Sequence, residues 1–82
     1  MAEQQGTHIA RDAVNAVFNV AVERYGAGAI DEAISILQLL SFLAPTDRGV
    51  WLALAQCHED LGQEAVADSL RSLADRIEEV AA

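Results

Sequence analysis

Cys57 and His58 stand side by side in the run LALAQCHED, and three carboxylate pairs, Asp31/Glu32, Glu59/Asp60 and Glu78/Glu79, follow the same adjacent spacing. A thiol beside an imidazole is the raw material of nucleophilic catalysis, and paired carboxylates are that of general acid–base chemistry. The spacing argues against both. Neighbouring residues on a helix diverge by about 100°, so Cys57 and His58 cannot meet as nucleophile and base. His8 is the only other histidine, and no Cys, His and carboxylate set has metal-ligand spacing. A histidine phosphorelay would need an exposed helical histidine, whereas His58 falls beside Trp51 on an apolar face. No glycine-rich phosphate loop is present. His58 is therefore expected as a packed core histidine and Cys57 as a small buried residue. The carboxylate pairs read as solvated faces and helix-terminal charges, favourable at the helix start for Asp31 and Glu32 and less so at the helix end for Glu78 and Glu79. The chain reads as no enzyme, with no cofactor and no metal.

The elements that carry these residues are helices. With 82 residues, 52% of them hydrophobic and 22% charged, the chain is too apolar for disorder and long enough for one small domain. Breaks at Gly26-Ala-Gly28, Pro45-Thr-Asp47 and Gly62 leave segments with apolar residues at helical spacing. Four antiparallel helices are expected, at about 8–25, 29–43, 47–60 and 63–80, as an all-α domain over 8–82 behind a flexible tail of residues 1–7.

Charge limits the partners. All five basic residues are arginine, against 13 acidic ones, for a net charge of −8. A phosphate backbone or an anionic membrane surface would be repelled, so neither nucleic acid nor membrane is an expected partner. The uncharged window between Glu32 and Asp47 is shorter than the roughly 20 residues a membrane-spanning helix needs. A lone cysteine and an N-terminus without a basic start and apolar run point to a reducing, cytoplasmic setting.

A shift of 34 residues lays the chain over itself. Val17 falls on Trp51, Val20 on Leu54, Ala21 on Ala55, Gly28 on Gly62 and Ala33 on Ala67. Alanines at these places let paired helices approach closely, and the glycines permit a tight turn. A 34-residue helix–turn–helix period resembles the tetratricopeptide repeat, with repeats at about 14–47 and 48–81. The first copy carries Ala21, Gly28, the run Asp31-Glu32-Ala33-Ile34, Leu40 and the closing Pro45; the second carries Trp51, Leu54, Ala55, Gly62, Ala67 and Ala74. The first helices hold Arg24 and His58 where the family has an aromatic residue, and the second repeat lacks the proline.

In that family the first helix of each pair lines a concave groove. The resemblance therefore assigns Asn15, Phe18, Asn19, Val22, Tyr25, Leu52 and Gln56 to a partner-binding groove, with ordinary core packing as the alternative for Phe18 and Tyr25. On the second helix Ala33, Ile36, Leu37, Leu40 and Leu43 form an internal stripe, while Leu39 and Phe42 fall outside it as a second candidate interface. The last helix, with Val66, Ala67, Leu70, Leu73, Ala74, Ile77 and Val80 on one side and charges on the other, resembles the solubilising cap of a solenoid.

The stretch from Tyr25 to Gln63 is similar to the small acidic tetratricopeptide chaperones of type III secretion systems. The resemblance implies a cytoplasmic bacterial protein that holds an amphipathic helix of a secreted subunit in its groove and prevents premature polymerisation. Two repeats favour the branch that holds the needle subunit, with or without a second small co-chaperone, over the longer chaperones of pore-forming translocators. The competing expectation is a structural helical module that forms a homo-oligomer and releases no cargo.

Overall fold

The computed structural model describes the backbone of residues 2–81 and the side chains of residues 11–77. The chain is all-α, with α1 at Ala2–Gly26, α2 at Ile30–Leu43, α3 at Arg48–Asp60 and α4 at Glu64–Ala81. Three of the four helices begin and end within a residue or two of expectation. The exception is the start of α1, which lies at Ala2 rather than near residue 8. The helix thus runs through the segment read as a tail, where no proline interrupts it. His8, Glu78, Glu79 and Val80 lie outside the residues whose side chains are described.

The 34-residue period is written into the backbone. Among the described residues Gly28 and Gly62 alone take positive φ, at 83° and 79°. In the first turn the Gly28 amide donates to the Tyr25 carbonyl at 3.0 Å and the Ala29 amide to that of Arg24 at 2.9 Å. In the second, Gly62 donates to Glu59 at 2.9 Å and Gln63 to His58 at 2.9 Å, each bond displaced by 34 residues. These paired bonds are the Schellman closure, which satisfies the last carbonyls of a helix when a left-handed residue follows. Each hairpin buries an alanine on both of its helices, Ala21 and Ala33 in the first and Ala55 and Ala67 in the second, with Leu40 and Ala74 buried at matching positions.

The link between hairpins uses other chemistry. Pro45 cannot continue α2, and its carbonyl accepts the Trp51 indole N–H at 2.8 Å. Asp47 caps α3, its carboxylate accepting the Gly49 amide at 3.0 Å.

Each helix packs chiefly on its neighbours in sequence, α1 on α2, α2 on α3 and α3 on α4. The radius of gyration is 13.5 Å, against about 12 Å for a compact chain of this length, and the longest extent is 46 Å. This is a serial stack of two hairpins rather than a closed bundle.

Two parts of the expected packing do not hold. Leu43, assigned to the internal stripe of α2, is 65% exposed, and Val66 and Leu73 of α4 are 44% and 42% exposed. In a serial stack the second helix of each hairpin is covered by first helices only, so its outward side has no neighbour. The charged side of α4 is as expected: Glu64, Asp68, Arg71 and Asp75 occupy the places that Ile30, Ile34, Leu37 and Ser41 hold on α2.

Candidate functional site: a groove between α1 and α3

Two polar ties join α1 to α3. The Arg11 guanidinium meets the Asp47 carboxylate at 3.0 Å, and the Tyr25 hydroxyl donates to Asp60. Arg11 precedes Tyr25 along α1 as Asp47 precedes Asp60 along the α3 segment, so α1 and α3 run parallel. The 14 helical steps from Arg11 to Tyr25 make the span between the ties about 21 Å.

Between α1 and α3 lies an open pocket of about 130 Å³. Ala21, Val22 and Tyr25 of α1 form one wall, Ala53, Gln56 and Cys57 of α3 the other, and Leu37 of α2 the floor. Its surfaces are apolar apart from the Gln56 amide and the Tyr25 hydroxyl. Both of these are directed at Asp60, with Gln56 Nε2 donating at 3.0 Å. No cation pairs with Asp60 among the described residues, whereas neighbouring Glu59 meets Arg71 at 3.0 Å.

The groove residues expected from sequence separate into three groups. Val22, Tyr25 and Gln56 come together at the pocket, with Val22 51% exposed. Phe18 is half-buried and packs against the core cluster, so it serves the interior more than the groove. Leu52 is half-buried on α3, and Asn15 and Asn19 are exposed on α1; none of the three lines the pocket. Ala21, Leu37, Ala53 and Cys57 line it without having been expected there. Small residues at 21, 53 and 57 are what leave room for the pocket, and that is the signal in the sequence that points to it.

Cys57 is buried, 1% exposed, and burial together with the nearby Asp60 charge raises its thiol pKa, so it is held protonated and unreactive. Tyr25 is also raised, mainly by donating to Asp60 and further by burial and the Asp60 charge. His58 is half-buried rather than a full core residue, with Nδ1 2.6 Å from Gln63 Oε1, and it helps close the α3–α4 turn. Among the described residues no three His, Cys, Asp or Glu side chains converge on a point, and no described helix is long and apolar enough to cross a membrane.

No family model, curated protein or solved structure matches this chain.

Proposed function

We propose that this chain is a cytoplasmic chaperone of the tetratricopeptide class serving a type III secretion system, and that its α1–α3 groove holds an amphipathic helix of a secreted subunit, the needle protein. The observation that carries this reading is the open apolar pocket between two parallel helices. Its 130 Å³ approaches the roughly 150 Å³ of a cavity that admits benzene, so one aliphatic anchor side chain fits. The 21 Å span accommodates about 14 residues of helix, which suits the helix-in-groove mode. Burying one such anchor contributes roughly 1.5–3 kcal/mol, and the net charge of −8 keeps a complex with an aggregation-prone cargo in solution.

Co-expression with the needle subunit of the same operon should yield a soluble 1:1 complex, and a needle protein that stays aggregated counts against the reading. Val22→Asp should weaken capture by at least about tenfold with helicity intact, because Val22 is half-exposed and outside the core. Unaltered capture by that variant removes the groove from the mechanism. Phe18 is the poorer probe, since its packing against the core confounds binding with stability.

A further inference from the structure

Among the described residues, five of the eight large hydrophobic residues that stand exposed lie on α2 and α4: Leu39, Phe42, Leu43, Val66 and Leu73. They are not scattered. Leu39 and Leu73 occupy the same place in the two repeats, as do Leu43 and Ile77 and the half-buried Ile36 and Leu70. One strip is thus repeated on both second helices, in the layer that backs the α1–α3 groove, and the exposed Phe42 and Val66 flank it where the other repeat carries Arg76 and Glu32. We propose that a second copy of this chain covers it, forming a homodimer through the α2/α4 layer.

Area and charge both point to that occupant. Phe42 is 85% exposed, Leu43 65% and Leu39 56%. With Val66 and Leu73 they present roughly 500 Å² of apolar surface, taking about 200 Å² for a fully exposed Phe and slightly less for Leu and Val. A standard interface buries about 800 Å² per partner, of which about 56–65% is apolar, or roughly 450–520 Å². The strip therefore supplies the apolar share of one dimer face without drawing on the groove.

A chain of net charge −8 repels its own copy over most of its surface. The end face of α4 carries Glu64, Asp68 and Asp75 around Arg71, and the outer side of α1 carries Glu23. Along the strip the charged residues are Asp31 and Glu32 at the start of α2 and Arg76 near the end of α4, so this face carries one net negative charge against −8 for the whole chain. Arg76 has no ion-pair partner among the described residues. Two copies meeting here bury apolar surface with far less like charge between them than on the other faces, and Arg76 of each copy can meet the acidic start of α2 of the other.

The test is the mass of the full chain by size-exclusion chromatography with light scattering at about 100 µM, followed by sedimentation on dilution. The expected mass is twice 8.8 kDa. Phe42→Asp and Leu39→Asp, both at exposed positions, should weaken the dimer by at least about tenfold with unchanged helical circular dichroism. Val20→Asp on α1 and Val22→Asp in the groove should leave it intact. A monomeric wild type, a dimer indifferent to both strip variants, or a dimer broken by Val20→Asp each overturns the proposal. Because the readout is self-association, failure of cargo capture leaves it unaffected.

Discussion

Tyr25 and Cys57 line the same pocket, and the fold holds both of them protonated. Tyr25 owes this first to the hydrogen bond it donates to Asp60, Cys57 first to burial. The unfolded chain releases these protons near their ordinary values of 9.0 for the thiol and 10.0 for the phenol. The folded chain releases them later. Both contributions to stability are therefore complete below pH 9 and are lost as pH rises through the folded-state values. Thermal melts from pH 8 to 11 should show a midpoint that falls beyond pH 9, and Tyr25→Phe should flatten the upper part of that fall; an identical fall in the variant would detach Tyr25 from it. The same burial predicts that a thiol reagent labels Cys57 slowly in the native chain and rapidly in denaturant. A cysteine beside a histidine looks reactive in the sequence, and burial decides otherwise.

At the scale of elements, the turns do the specifying. Gly28 and Gly62 adopt the left-handed region, yet a Cβ at either would meet nothing within 4 Å. Replacing either by alanine costs backbone strain alone, about 1–2 kcal/mol, and the two losses should be alike because the hydrogen bonds around them are alike. Gly26→Ala should act oppositely and stabilise by about 0.5–1 kcal/mol, since Gly26 is the last helical residue of α1, has no positive φ and has equally open surroundings. Urea unfolding of the three variants separates these signs. Such turns are why three helices were legible in the sequence to within a residue or two, for glycine and proline report on local backbone geometry. Burial was less legible. The periodicity that placed Leu40 inside also placed Leu43 inside, because a helical stripe records which side is apolar and not how many neighbours cover it. Val66 and Leu73 went wrong for that reason. Val22, Tyr25 and Gln56, assigned to the groove by the family resemblance, do line the pocket, while Ala21, Leu37, Ala53 and Cys57 were not expected there because depth depends on how far α1 stands from α3. The ties that hold this separation, Arg11 to Asp47 and Tyr25 to Asp60, join residues 36 and 35 positions apart with no pattern to announce them.

In the whole molecule, serial packing distributes stability unevenly. α2 and α3 are each covered by two helices, α1 and α4 chiefly by one. The buried cluster draws Leu37 and Leu40 from α2 and Val50, Leu54 and Cys57 from α3, whereas α1 contributes Val14 and Ala21 as its buried residues among those described. In a linear stack, the free energy of opening a segment follows the interfaces it must break, so the ends open before the middle. Hydrogen exchange of the native chain should therefore be slowest across residues 37–40 and 54–57 and faster along α4. Because α1 forms one wall of the groove, a peptide bound there would be held by an element that opens more readily than the α3 wall. Exchange along α1 should slow when the groove is filled, by more than exchange along α4, which does not touch it. Equal protection of all four helices in the free chain would mean that the two hairpins unfold as one cooperative unit, and the graded stack would then have to be abandoned.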